Sequence, residues 1–338
     1  MSVDVSIIIP LYNEVECAPH LIDELRAFVA SFDRTTEVIL VDDGSDDDTF
    51  GVAMREITGQ AIVPDGKPGQ VKDPLPGAKL VRLRGNAGQT AAMAAGLSKA
   101  TGDVIVFMDG DLQNDPRDIP KLLAKLDEGY HLVSGWRRDR KDRALTRKFP
   151  SWAANLLIGV FTGVRVRDSA GKPQGWLHDF GCTLKAYRAS ELRALNLYSD
   201  MHRFLPALTH RAGASIAEVV VNHRSRAYGR SKYGLSRVLK VAADLVVLKL
   251  ITEFAGRPMH YFGPLALTFI LLSGFTGAVW GWNLTTDVHD PTFIFPAIVT
   301  LFFVSSLYFL FLGLLSELIQ RVGRYDPADQ ARATLETI

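Results

Sequence analysis

Val104-Ile105-Val106-Phe107-Met108 runs straight into Asp109-Gly110-Asp111-Leu112-Gln113, so an apolar stretch stops on two carboxylates with one glycine between them. A short continuous apolar run without helical periodicity reads as a strand buried on both faces, the kind that builds parallel sheets. With Asp103 included, it is the fourth such run. Val5 to Pro10, Glu37 to Val41 and Lys79 to Leu83 precede it, and the helical patterns Ala18 to Phe32 and Gln89 to Ala100 lie between them. Strands alternating with helices predict an α/β domain whose mostly parallel sheet is covered on both faces. Residues 58–78 break the alternation with four Gly and four Pro and no periodicity, which predicts an inserted surface loop before the third strand.

Ligands of an open parallel sheet bind beyond the carboxyl ends of its strands. Here those ends are Pro10-Leu11-Tyr12-Asn13-Glu14, Asp42-Asp43-Gly44-Ser45 and Asp109-Gly110-Asp111-Leu112-Gln113. A single carboxylate after a strand is as readily a helix cap as a ligand group, but three polar ends at one sheet edge predict a site. Asp109 and Asp111 can turn toward one point, where two negative charges are unfavourable unless a cation joins them. An all-oxygen donor set suits Mg²⁺ or Mn²⁺, which keep waters and phosphate oxygens in their shell, and Gln113 adds an amide oxygen.

Across the 338 residues, 38 Lys and Arg stand against 37 Asp and Glu, a net charge of +1, and 47% of residues are apolar. That composition excludes a disordered or collagen-like chain, and no nucleic-acid partner is expected. The charges are unevenly spread. Between Arg257 and Asp287 lie 29 residues without Asp, Glu, Lys or Arg, and between Asp290 and Glu317 lie 26. Each run exceeds the roughly 20 residues that span a hydrocarbon core, which predicts two transmembrane helices within 258–320, at Tyr261 to Trp282 and Thr292 to Ser316. Arg257, Arg321 and Arg324 flank the pair on the outside, whereas the connector carries only Asp287 and Asp290. The positive-inside rule then predicts cytoplasmic termini and a cytoplasmic tail at 321–338. Met1-Ser2-Val3-Asp4 is not a basic segment followed by an apolar run, so no signal peptide is expected. Cys17 and Cys182 are expected to be packing residues in a reducing compartment.

Before the spans, His223-Arg224-Ser225-Arg226-Ala227-Tyr228-Gly229-Arg230-Ser231-Lys232-Tyr233 packs three Arg and one Lys into eleven residues. Such a loop either rests on anionic lipid heads or grips phosphate oxygens with its Arg forks. Arg203 and the run Arg137-Arg138-Asp139-Arg140-Lys141 are weaker basic candidates. In 234–257, Arg237, Lys240 and Asp244 share one side of a helical pattern, which predicts an amphipathic helix at a membrane interface after a catalytic domain at 1–233.

Ser6-Ile7-Ile8-Ile9-Pro10-Leu11-Tyr12-Asn13-Glu14, Val41-Asp42-Asp43-Gly44-Ser45, Gly85-Asn86-Ala87-Gly88-Gln89 and Asp109-Gly110-Asp111-Leu112-Gln113-Asn114 together resemble the successive signatures of family 2 glycosyltransferases with a GT-A, Rossmann-like fold. Within that family the similarity is to polyprenyl-phosphate glycosyltransferases, the group of dolichol-phosphate mannose synthase and bacterial undecaprenyl-phosphate sugar transferases. The resemblance implies that Pro10, Tyr12 and Glu14 line a nucleotide pocket and that Asp42 and Asp43 receive base and ribose. It also implies that Asp109, Asp111 and Gln113 hold a metal on the donor diphosphate and that Asp179 lies beside the acceptor. A salt-bridging Asp179 is the plainer alternative. Arg203, Arg226, Arg230, Ser231 and Lys232 are the candidates for phosphate and acceptor binding. The implied partners are a UDP- or GDP-linked sugar, an undecaprenyl or dolichyl phosphate, the inner-membrane bilayer and further copies of the chain.

A lipid monophosphate reaches the site already anionic, since its second ionisation lies near pH 6, so the expected chemistry is a single inverting displacement with no covalent enzyme intermediate. Asp179 would orient the acceptor or take its remaining proton. Two competitors remain at this level. A processive polysaccharide synthase calls for a Gln-x-x-Arg-Trp signature, which is absent; a non-catalytic sensor calls for binding without transfer.

Overall fold

The computed structural model describes residues 3–59, 73–138, 155, 158–159, 162–167, 172–193, 195, 201–225, 258–286, 293–322 and 334–337. Arg226, Arg230, Ser231, Lys232 and the amphipathic segment 234–257 lie outside the described residues, as does most of the 58–78 insertion. The chain divides into two compact units, Met1–Ala242 with Asp326–Ile338, and Ala243–Tyr325.

In the first unit β1 (Val5–Leu11), β2 (Thr36–Asp42), β3 (Ala78–Leu83) and β4 (Val104–Phe107) are adjacent parallel strands of an eight-stranded sheet. β1 pairs with β2 from Val5 opposite Thr36 to Leu11 opposite Asp42, and with β4 from Val5 opposite Val104 to Ile8 opposite Phe107. These apolar runs bury both faces. Ile7 and Ile9 join Leu21, Leu25, Leu122 and Leu126 of α1 (Ala18–Ser31) and α4 (Ile119–Asp127). On the opposite face Ile8 and Val41 meet Gly96 of α3 (Gln89–Lys99), closely enough that a Cβ there would collide with Ile8. Each fully buried Ile or Leu contributes about 1.5–3 kcal/mol of transfer free energy.

The chain goes outward from β1 to β2, through α2 (Thr49–Thr58), to β3, then returns through α3 to the other side of β1 as β4. The order therefore reverses between β1 and β4, which makes the carboxyl edge of those two strands the switch point where a crevice opens. Beyond β4 the sheet continues as β8 (Lys185–Arg188), β5 (Leu132–Trp136) and β9 (Ile216–Val220). β8 is antiparallel to both neighbours, whereas β5 and β9 are parallel to each other. A two-stranded ribbon, β6 (Arg165–Arg167) with β7 (Pro173–Trp176), precedes β8, and the short helices α5 (Ala189–Arg193) and α6 (Leu205–Arg211) follow it. At the far edge β10 (Thr334–Thr337), within the expected C-terminal tail, pairs antiparallel with β3 and covers its free side. The insertion is tied down at its end: Leu75 is 3% exposed in the core and donates its N–H to the Ile57 carbonyl at 2.9 Å.

At the amino ends of the strands, Glu37 forms a buried polar knot. Its carboxylate accepts from Ser6 Oγ at 2.5 Å, Lys79 Nζ at 2.6 Å, and the Thr101 N–H and hydroxyl at 2.6 and 2.9 Å. Burial alone would raise its pKa, but the bonds from Lys79, Ser6 and Thr101 outweigh it and bring the value down to about 2.

The second unit is a pair of helices, α7 (Pro258–Thr285) and α8 (Ile294–Val322). Both are long and apolar enough to cross a membrane. They run antiparallel, since Ser273 Oγ bonds the Val299 carbonyl at 3.0 Å while Ser306 Oγ bonds the Ala266 carbonyl at 2.8 Å. At the contact Phe269 also stacks on Phe309 with centroids 5.3 Å apart, while Leu271, Phe275 and Phe311 are turned outward.

Candidate active site

Three loops at the switch-point edge are sewn together by their own polar groups. After β1, Asn13 adopts φ 54°, its N–H bonds Ser45 Oγ at 3.0 Å and its Oδ1 accepts the Asp46 N–H at 2.9 Å. Tyr12 donates its hydroxyl to Asp46 at 3.2 Å, and the Glu14 N–H bonds Thr49 Oγ1 at 2.9 Å. After β2, Asp42 Oδ1 accepts from Ser45 Oγ at 2.5 Å and from the Ser45 N–H at 3.2 Å. Its Oδ2 is buried without a hydrogen bond, with Arg82 Nε 3.5 Å away. Asp43 receives the Ala87 and Gly88 N–H groups at 2.8 and 2.9 Å, one on each oxygen. Gly44 makes this turn possible, because its φ is +63° and a Cβ would run into the Gly85 backbone.

The loop that Asp43 holds leads into Gln89, whose side-chain amide donates to Asp109 Oδ1 at 2.8 Å. Asp109 and Asp111 follow β4. Gly110 lies so close to Pro10 and Leu11 that a side chain there would collide with Leu11. Leu112 has φ 63°, a left-handed conformation uncommon for a bulky residue, and its side chain is buried. That turn brings the Gln113 N–H back onto Asp111 Oδ1 at 3.1 Å. The Asp109 carboxyl is pushed up to about 6, first by burial and then by the Asp111 charge; a Thr183 hydrogen bond and the charges of Arg137 and Lys185 pull the other way.

Gln113 is drawn toward a neighbouring strand end. Its carbonyl accepts the Arg224 N–H at 3.0 Å and its side-chain Nε2 lies 3.4 Å from the Arg224 carbonyl. Asn114 and His223 form an antiparallel bridge, and Arg224 pairs with Asp115 at 2.8 Å and with Glu24 at 2.6 Å. The segment that leads into the basic cluster is thus fastened to the carboxylate loop.

A buried charge cluster backs the site. Asp179, 3% exposed, is forked by Arg137 Nε and Nη2 at 2.8 and 3.0 Å and also accepts the Gly181 N–H at 3.1 Å. Burial works against the Arg137 charge, yet Asp179 more than offsets this and the guanidinium pKa is raised. Lys185 on β8 donates to the Phe180 carbonyl at 3.1 Å and to that of Cys182, which ties down the 180–182 loop; burial lowers its pKa. Cys182 and Cys17 are free and buried, and burial pushes the Cys182 thiol up to about 11.

Pro10, Tyr12, Glu14, Asp42, Asp43, Asp109, Asp111 and Gln113 thus gather at one edge. Next to Arg203, His202 places its Nδ1 3.0 Å from the Thr90 hydroxyl at the start of α3. Sequence reasoning missed Gln89 and Lys185 as individual residues and underrated Arg137. Gln89 ends a quoted motif, but Lys185 is a buried cation inside a four-residue strand and gave no signal. Among the described residues no three His, Cys, Asp or Glu side chains gather as a metal cage. Two crowded carboxylates without a third fit a hard cation that completes its shell with diphosphate oxygens and water.

The sequence pattern described as glycosyl transferase family 2 matches residues 6–193. The dodecaprenyl-phosphate galacturonate synthase of Rhizobium johnstonii is 37% identical over 337 residues, 97% of this chain and 90% of that protein. The undecaprenyl-phosphate 4-deoxy-4-formamido-L-arabinose transferase of Shewanella sediminis is 34% identical over 324 residues, 94% of this chain and 87% of its own. Among solved structures, glucosyl-3-phosphoglycerate synthase of Mycobacterium tuberculosis, in complex with Mn²⁺, uridine-diphosphate and phosphoglyceric acid, superposes with a TM-score of 0.51 at 20% identity, covering 73% of this chain and 78% of that one. That likeness is one of fold, and the fold is GT-A. With the pattern covering over half of the sequence and relatives aligned along nearly all of it, the chain is an enzyme that belongs to glycosyl transferase family 2.

Proposed function

We propose that this enzyme moves a hexose from a nucleotide-diphosphate sugar, UDP- or GDP-linked, to the phosphate of a membrane polyprenyl phosphate, in a metal-dependent single displacement with inversion. The observation that carries the proposal is the Asp109 and Asp111 pair at the switch point, in a chain whose relatives along 94–97% of its length are named for polyprenyl phosphates. Asp42 and Asp43, at the end of β2, would receive the base and ribose, while Tyr12 and Glu14 stand on the adjoining loop. Asp109 and Asp111 would hold Mg²⁺ or Mn²⁺, which neutralises charge on the departing diphosphate.

The acceptor phosphate is the nucleophile. Its oxygen forms the bond to the anomeric carbon, and the bond from that carbon to the donor diphosphate breaks, the nucleotide leaving with the electron pair. No base is needed at an acceptor that arrives ionised, so the residues must chiefly bring two anions together. Arg137, fixed by Asp179, keeps a positive charge beside Asp109. Arg226, Arg230, Ser231 and Lys232 follow Arg224 in sequence and, with Arg203, would supply the acceptor side. α7 and α8 anchor the enzyme in the inner membrane with catalytic unit and termini cytoplasmic, 234–257 lies at the interface, and the enzyme works as a homo-oligomer.

The test is transfer by the purified full chain, given a panel of radiolabelled UDP- and GDP-sugars, Mn²⁺ or Mg²⁺, and short-chain polyprenyl phosphate. Label in one discrete glycolipid of inverted anomeric configuration is expected. A polymer, a retained configuration, or binding without transfer would contradict the proposal.

A further inference from the structure

Two dipeptides lie side by side at the end of β5, Trp136-Arg137 and His178-Asp179. Arg137 forks onto Asp179. One residue back on each, the Trp136 indole stacks on the His178 imidazole with centroids 4.3 Å apart and planes 16° from parallel. A third element fixes the ring: His178 Nδ1 is 2.7 Å from Glu218 Oε2 on β9, and Glu218 Oε1 accepts the N–H groups of His178 and Asp179 at 2.8 and 3.2 Å. The Glu218 side chain is 6% exposed and that of His178 57%. Among the described residues nothing bonds Nε2, on the ring edge away from Glu218.

The geometry leaves a ring anchored by a buried carboxylate at Nδ1 with its Nε2 edge turned outward, where an anion can meet it. Its rigid stacking means little side-chain freedom is lost on binding. β8 runs antiparallel to both β4 and β5, with Lys185 opposite Phe107 and Ser134, so Trp136 and the ring stacked on it stand at the same sheet edge as Asp109, one strand away.

We infer that His178, braced by Trp136 and Glu218, is an oxyanion-binding residue of the transfer site, receiving either the acceptor phosphate or a carboxylate carried by the transferred sugar. The inference rests on the function proposed above.

The test compares wild type, His178→Ala and His178→Lys for KM and kcat with short-chain polyprenyl phosphate, using a UDP-hexuronate and the matching UDP-hexose as donors. Loss of one charge-assisted hydrogen bond raises the relevant KM about tenfold with little change in kcat, and lysine restores it to within about threefold. A raised acceptor KM with either donor identifies the phosphate, and a raised KM for the hexuronate alone identifies the carboxylate. Unchanged KM values, or a lysine variant as poor as alanine, overturn the inference. Should wild type transfer no sugar at all, the proposed function fails, and calorimetric titration of the same two anions still decides this point: Kd about tenfold weaker in His178→Ala supports it, equal Kd values overturn it.

Discussion

Asp179→Asn separates two roles that the sequence left open for this residue, proton acceptor and salt-bridge partner. Asparagine keeps the shape and removes the charge. In the wild type the carboxylate is 3% exposed and bonded to Arg137 Nε and Nη2 and to the Gly181 N–H, while the Arg137 side chain is 10% exposed. Removing one partner of a buried ion pair strands the other charge, at a cost of about 3–5 kcal/mol. At about 2–4 °C per kcal/mol for a unit of this size, the melting temperature should fall by about 10 °C. Arg137→Met should fall similarly, and the double variant should recover much of the loss, because no charge is then left unpaired. The assay is thermal unfolding of the detergent-purified chain by intrinsic fluorescence, alongside the pH profile of kcat. A variant that melts with wild type yet loses about a thousandfold in kcat and one limb of its pH profile would refute the structural role and make Asp179 a proton acceptor.

Metal affinity should depend on pH through Asp109, whose carboxyl is held near 6. The cation needs the ionised form, so binding is full well above pH 6 and weakens as pH falls through it; titration with Mn²⁺ followed by electron paramagnetic resonance checks this, and flat affinity from pH 5 to 8 would contradict it. Glu37, lowered to about 2, stabilises the fold above its unfolded pKa near 4.5, and that contribution, on the order of 3 kcal/mol, should disappear as pH falls from about 5 to 2. Glu37→Gln should flatten the acid limb of a urea-midpoint profile over that range. Gly44→Ala should destabilise by at least about 2 kcal/mol, since the left-handed backbone and the Gly85 contact both oppose a Cβ; denaturant unfolding reads it, and a neutral change would mean that the two loops can part.

The parallel half of the sheet was legible because β1 to β4 are continuous apolar runs, and their polar ends located the crevice. The remaining strands were not. β8 is four residues long, carries Lys185 into the interior and runs against its neighbours, so neither length nor hydropathy marks it. β10 pairs across the whole chain from β3, which no local pattern reveals. The carboxylate pair was readable from its spacing, whereas the left-handed Leu112 that turns the loop was not, because leucine has no preference for that conformation. Arg137 and Asp179 stand 42 residues apart and meet through the tertiary fold alone.

The central claim is that Asp109 and Asp111 carry a divalent cation that the transfer requires. The direct measurement is sugar transfer to polyprenyl phosphate by chelator-stripped enzyme as Mn²⁺ is added back, in wild type and in Asp111→Asn. The expected result is no transfer without metal, full recovery in wild type and none in the variant, with circular dichroism showing both proteins folded at the assay temperature. Undiminished transfer by the stripped wild-type enzyme would contradict the claim.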